Sequence, residues 1–195
     1  MSDYVILTIF ISDNSVSISK SASMNLRNFE FKARAKDLKK LEEKLLGLNP
    51  VFRGEDHQTD TYFNVPKGRL KLREGNIENA LIYYERPDTA AAKASDIILY
   101  KHLPETSLKS ILTKTNGIKA VVDKKRRIYF IENVKFHFDT INELGTFIEV
   151  EAIDENGRRT QEELEKQCKK YFTLFDLKES DYVSKSYSDL IVERL

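Results

Sequence analysis

One pattern constrains this chain more than any other: apolar residues alternate with charged ones at a period of two, in segment after segment. In Gly68-Arg69-Leu70-Lys71-Leu72-Arg73-Glu74, Leu70 and Leu72 alternate with Arg69, Lys71 and Arg73. A strand sends successive side chains to opposite faces, so one face is apolar and the other carries three cations spaced about 7 Å apart. Phe29, Phe31 and Ala33 alternate in the same way with Asn28, Glu30, Lys32 and Arg34; Val134, Phe136 and Phe138 alternate with Lys135, His137 and Asp139; and Phe147-Ile148-Glu149-Val150-Glu151 repeats the pattern. Two arrangements satisfy it. One is an open antiparallel sheet whose polar face is in water. The other is a closed barrel with a charged lumen and an apolar outer face covered by helices. A lumen lined with Arg and Lys suits a polyphosphate guest.

The remaining segments supply turns and helices. Asp37 is placed to cap a helix carrying Leu38, Leu41, Leu45 and Leu46, with Pro50 beyond its end. Strands are expected at 60–65, 69–73, 80–86, 96–102, 120–131, 134–141 and 147–151, with Pro66-Lys67-Gly68 turning the first into the second. A helix over 105–116 turns Leu108, Ile111 and Leu112 inward and stops at Gly117. Thr160 and Glu163 form a capping box opening a helix that lines up Leu164, Cys168, Tyr171, Phe172 and Phe175. A short helix covers 186–193. The fold class is α+β: an eight-stranded antiparallel barrel with helices outside.

The 195 residues suffice for one substantial core. Residues 1–23, serine-rich after a short apolar run that allows a strand at 4–11, read as a flexible leader; residues 24–195 read as the domain, with Met24 an alternative start. The apolar run lacks a basic start, which argues against a signal peptide. Lys+Arg 32 against Asp+Glu 31 leaves a net charge of +1, an argument against a nucleic-acid partner. The single cysteine, Cys168, cannot form an internal disulfide, and no apolar run reaches the roughly 18–20 residues of a membrane span. A cytoplasmic protein with no membrane partner is expected. The sequence does not speak to oligomeric state.

The charged faces contain two populations. Cations dominate the middle strands, and carboxylates gather on the first and late strands. Phosphoryl transfer uses both: Arg and Lys hold phosphate oxygens, and carboxylates hold a hard divalent cation, Mg²⁺ or Mn²⁺. Lys124-Lys125-Arg126-Arg127 divides by alternation between the two faces rather than forming one basic patch. His137 lies between Lys135 and Asp139 on the polar face; His57 and His102 have no such company.

Glu30-Phe31-Lys32-Ala33-Arg34, Asp60-Thr61-Tyr62-Phe63 and Gly68 to Glu74 resemble, in order, motifs of the CYTH superfamily, the triphosphate tunnel metalloenzymes. So do Tyr83-Tyr84-Glu85-Arg86-Pro87 with Lys93 and Ser95-Asp96, then Lys124, Arg126 and Tyr129, then His137-Phe138-Asp139. Leu144 to Glu151 and Ser186-Tyr187-Ser188-Asp189-Leu190 complete the set, which runs from about Met24 to Ile191 and is nearest to class IV adenylate cyclase-like proteins. The resemblance implies a tunnel that binds a small-molecule triphosphate. It implies metal on Glu30, Glu149 and Glu151, with Asp139 a further candidate, and phosphate on Lys32, Arg69, Lys71, Arg73, Arg86, Lys124 and Arg126. Arg34, Lys93, Lys135 and His137 would support or line the phosphate site. Lys32, Arg73, Glu149 and Glu151 would carry catalysis, and Tyr187 would sit at one tunnel mouth. One departure stands out: the family commonly has a glutamate where this chain has Asn28, an amide that brings no charge to a metal. Three functions are consistent with this reading: hydrolysis of a nucleoside, thiamine or inorganic triphosphate; conversion of ATP to cyclic AMP and pyrophosphate; and non-catalytic binding of a phosphorylated ligand.

Overall fold

The computed structural model describes residues 5–12, 15–22, 26–85, 93–103, 106–154 and 157–194. In chain order these form β1 (Val5–Ser12), β2 (Ser15–Ala22), β3 (Leu26–Arg34), α1 (Leu38–Leu46), β4 (Val51–Phe63), β5 (Arg69–Gly75), β6 (Ala80–Glu85), β7 (Lys93–Lys101), α2 (Thr106–Asn116), β8 (Ile118–Ile131), β9 (Val134–Ile141), β10 (Gly145–Asp154), α3 (Gln161–Leu174) and α4 (Tyr187–Val192). Strands β3 to β10 close into an antiparallel barrel in the order β10-β3-β7-β6-β5-β4-β8-β9, with β9 and β10 completing the ring. Of the two arrangements that the alternation allows, the barrel is the one formed. Strands β1 and β2 pair with each other in a separate sheet. The strand allowed at 4–11 is therefore present as β1, and the serine-rich segment after it forms a second strand, which composition did not signal.

Closure assigns each described side chain of the eight strands to the lumen or to the outside. On β3 the outward Phe29, Phe31 and Ala33 join Ile148, Val150 and Ala152 of β10 and Phe136 and Phe138 of β9. Leu41 and Leu45 of α1 and Leu164, Cys168, Tyr171 and Phe175 of α3 cover them. Fully burying each large apolar side chain contributes about 1.5–3 kcal/mol, so this outer core, rather than the charged lumen, stabilises the barrel. The capping expectations hold: Asp37 accepts from Lys40 N, and Thr160 and Glu163 form a reciprocal box. Two helix residues differ from expectation. Leu46 and Ile111 are exposed rather than inward, while Leu41 and Leu45 carry the buried face of α1.

Candidate active site

The barrel encloses a cavity of about 610 Å³. Cross-strand register sets its lining, because directly opposed residues in a ladder share a face. Arg73 opposes Asp60 on one side and Ala80 on the other, and Lys71 opposes Tyr62 and Ile82. On the far wall Glu149 opposes Lys32 and His137, and Glu151 opposes Glu30 and Lys135.

One wall is cationic and is organised by a carboxylate. Asp60, fully buried, accepts from Arg73 Nε at 2.9 Å and Nη2 at 3.1 Å, from Lys71 Nζ at 3.0 Å and from Lys124 Nζ at 2.6 Å. Burial alone would raise its pKa, but Arg73, Lys124 and Lys71 hold it well below the usual carboxylate range. Lys124 is pulled down to about 7, chiefly by burial, with Arg73, Arg126 and Lys71 adding to the fall against the pull of Asp60. Glu78, in the turn after β5, accepts from Arg73 Nη1 at 2.9 Å and from Lys135 Nζ at 2.5 Å. Asp56 holds that turn by accepting the backbone N–H of Ile77 and Glu78. Gly75 is needed there, since a Cβ would stand 2.7 Å from an Asp56 carboxylate oxygen.

The opposite wall is acidic. Ligand atoms of His137, Glu149 and Glu151 lie within 4.8 Å of one another. His137 Nδ1 is 3.3 Å from Glu149 and 3.4 Å from Glu151. Its pKa is lowered to about 3, first by burial and then by Arg126 and Lys135, so the ring is neutral. Burial would raise Glu149, but Lys32, the His137 hydrogen bond and Arg126 hold it well below its ordinary value. Glu151 is pushed up to about 7, chiefly by burial; Lys135 opposes the rise, and the Glu149 and Glu30 carboxylates add to it. Two carboxylates and a neutral imidazole, with a third carboxylate across the ladder, fit a hard divalent cation. Arg126 links the two walls, donating to Asp139 at 2.6 and 2.5 Å and to Glu149 at 2.8 Å.

One end of the lumen is filled. Inward Tyr62, Val122, Ile141 and Phe147 pack with Leu144 and Tyr187. Tyr187 donates its hydroxyl to Asp139 at 2.9 Å, and Lys32 Nζ lies 4.1 Å from the centre of its ring. Asp189 anchors α4 through Arg69 at 2.9 Å and Lys119 at 3.2 Å. The other end is a mouth at Ala80, Leu99, Lys101 and Phe130.

Of the residues singled out from sequence, Glu30, Lys32, Lys71, Arg73, Lys124, Arg126, Lys135, His137, Glu149 and Glu151 all line the cavity. Three are placed elsewhere. Arg34 is exposed at the barrel end, over the Phe147 ring, and donates to Leu144 O at 3.2 Å. Arg69 is spent on docking α4. Asp139 shares the lumenal face of Arg126 but is fully buried toward the plugged end, with its carboxylate on Arg126 and Tyr187. Arg86 and the side chain of Lys93 lie outside the described residues; the backbone of Lys93 pairs with Glu30. Sequence reasoning missed Asp60 as a site residue, and Glu78, Arg53 and Lys101, all of which line the cavity. His102, for which the sequence suggests no role, also lies at the mouth. No period-two signal marks Asp60, because the buried Asp56, Gln58 and Asp60 alternate with the equally polar Glu55, His57 and Thr59.

The CYTH domain model matches residues 26–187, and the chain belongs to this family. The PH1012 protein of Pyrococcus horikoshii is similar over 84% of this chain and 98% of its own, with 27% identity and a TM-score of 0.72. A candidate adenylate cyclase from Vibrio parahaemolyticus shares 18% identity over 84% of this chain and 97% of its own, with a TM-score of 0.68. A Hippeastrum protein described as a candidate adenylyl cyclase with a dominant triphosphatase activity shares 12% over 87% and 95%, with a TM-score of 0.59. At these identities the last two show a shared fold. No curated protein matches the chain.

Proposed function

We propose that this protein hydrolyses a triphosphate compound with the help of a divalent cation, Mg²⁺ or Mn²⁺. The observation that carries the reading is the division of one lumen into a cation wall fixed by Asp60 and a carboxylate wall centred on Glu149 and Glu151. Lys71, Arg73 and Lys124 hold phosphate oxygens, and they are already positioned because Asp60 fixes all three before the anion arrives. Arg126, between Glu149 and Asp139, is placed to stabilise charge developing on the transferred phosphoryl group. Asp139 acts through Arg126 as a positioning residue, and Lys32 offers a further cation beside Glu149. Glu149 and Glu151, with Glu30 and His137 at hand, would hold the cation, which supplies charge neutralisation at the phosphate oxygens. Water attacks phosphorus, the bridging P–O bond breaks, and orthophosphate leaves with the shortened phosphate chain. No covalent enzyme intermediate is needed. The Hippeastrum protein supports hydrolysis over cyclisation only as a precedent within the same fold.

The test is Glu149→Gln together with Glu151→Gln. Metal-stimulated turnover is expected to fall at least 100-fold while triphosphate still binds. Unchanged function with equal or tighter anion binding is the outcome expected of a binding module, and it would overturn the enzymatic reading.

A further inference from the structure

The turn between β5 and β6 folds back over the lumen, and Ile77, Glu78 and Asn79 line the cavity. Its backbone is pinned. Asp56 accepts the N–H groups of Ile77 and Glu78, and Asn76 Nδ2 donates to Glu55 O at 3.0 Å. Asn79 exchanges two hydrogen bonds with the backbone of Gly75, at 2.8 and 3.1 Å. The Glu78 carboxylate is therefore delivered to one place. It accepts from Arg73 Nη1 at 2.9 Å and Gln58 Nε2 at 3.2 Å on its own side of the ring, and from Lys135 Nζ of β9 at 2.5 Å. β6 and β9 stand four places apart in either direction around the eight-strand ring, so the Glu78–Lys135 pair spans the lumen.

The pair lies at a definite height. Along β5 from the plugged end, Arg69 is taken by Asp189, Lys71 and Arg73 line the cavity, Gly75 brings no side chain, and the turn then carries Glu78. Lys71 and Arg73 are about 7 Å apart along the strand, comparable with the length of three linked phosphates. Arg73 keeps donors for an anion, since of the five N–H groups of a guanidinium two go to Asp60 and one to Glu78. Beyond Arg73 the cation row ends in a carboxylate. Burial would raise its pKa, but Lys135 and Arg73 hold it well below its ordinary value, so it is ionised at neutral pH. An anion at this point repels the guest that the rest of the wall attracts.

Building on the proposed triphosphate site, we infer that Glu78, tied across the lumen to Lys135, is a specificity-determining residue that closes the anion site to a fourth phosphate. A longer chain must break the Glu78–Lys135 pair or lie against the carboxylate. Charge alone argues for the opposite order, because inorganic tetraphosphate carries more negative charge than inorganic triphosphate.

The experiment is calorimetric titration without added metal, so that nothing turns over. The titrants are inorganic triphosphate and inorganic tetraphosphate, against wild type and Glu78→Gln, which keeps the shape and an acceptor oxygen and removes the charge. Wild type is expected to bind tetraphosphate no more tightly than triphosphate. Glu78→Gln is expected to raise tetraphosphate affinity about ten-fold or more and triphosphate affinity less than about three-fold. The wild-type order is read without any variant, so the test stands if Glu78→Gln fails to fold. Tighter binding of tetraphosphate to wild type, or a variant that raises both affinities alike or neither, overturns the inference and leaves the triphosphate reading standing. Binding of neither anion to wild type overturns both.

Discussion

Glu151 stands directly across the β10–β3 ladder from Glu30, with both carboxylates lining the lumen. Like charges in that relationship destabilise a sheet, and the site tolerates the pair because Glu151 keeps a proton up to about pH 7.

A pH dependence follows. The ordinary glutamate pKa is 4.5. Because the folded value is raised, the group's contribution to stability is complete below about pH 4.5 and is lost as pH rises through about 7. Glu151→Gln is therefore expected to stabilise the metal-free protein at pH 8 by roughly 1–3 kcal/mol, a rise in Tm of several degrees, and to do little at pH 5. Thermal unfolding in chelator at the two pH values checks this. A lower Tm for the variant at pH 8 would contradict it.

Asp60 bears on a different balance. Asp60→Asn leaves Lys71, Arg73 and Lys124 without their shared carboxylate. Removing one partner from such a buried set costs about 3–5 kcal/mol. Inorganic triphosphate, supplying the missing negative charge, is expected to raise the Tm of the variant by more degrees than that of wild type. An equal shift in both would show that the anion binds elsewhere.

Lys124 titrates in the opposite sense to Glu151. Its folded pKa is lowered from 10.5 to about 7, so the stability it contributes is present above the unfolded value and is lost as pH falls from about 10 to 7. Lys124→Met is expected to flatten the stability profile over that window and to weaken triphosphate binding about ten- to a hundred-fold, the worth of a hydrogen bond to a charged group. Denaturant titration across pH, with calorimetry for the anion, measures both. A retained slope would assign the titration to another group.

The plug carries its own expectation. Tyr187→Phe keeps the ring against Phe147 but removes the hydroxyl from Asp139, which then relies on Arg126. A loss of about 1–2 kcal/mol is expected, with the lumen still closed at that end. No change in Tm would mean that the hydroxyl contributes nothing to holding Asp139.

Legibility from sequence depends on contrast between the two faces of a strand. On β3, β5, β9 and β10 one face is apolar and the other charged, so alternation alone assigns Glu30, Lys32, Lys71, Arg73, His137, Glu149 and Glu151 to one side. On β4 the contrast vanishes: the buried Asp56, Gln58 and Asp60 alternate with Glu55, His57 and Thr59, all polar. The strand therefore begins at Val51, well before the expected start at Asp60. β7 fails the other way, since Ile97, Ile98, Leu99 and Tyr100 are apolar on both faces, and the lumenal wall they help to build leaves no pattern. Glu78 lies in the turn between β5 and β6, where no periodicity exists; the hairpin brings it to Arg73, and closure of the barrel brings it to Lys135 on β9. Arg69 shows the limit of reading faces alone: it shares the lumenal face of Lys71 and Arg73 but lies at the strand end, where α4 takes it.

The first measurement to make is product analysis from ATP, thiamine triphosphate and inorganic triphosphate with Mg²⁺ or Mn²⁺, resolving orthophosphate from pyrophosphate. Metal-stimulated orthophosphate release, lost in Glu149→Gln while the anion still binds, is the expected result. Pyrophosphate with cyclic AMP, or no metal-stimulated product from a tunnel that binds all three, would contradict hydrolysis as its function.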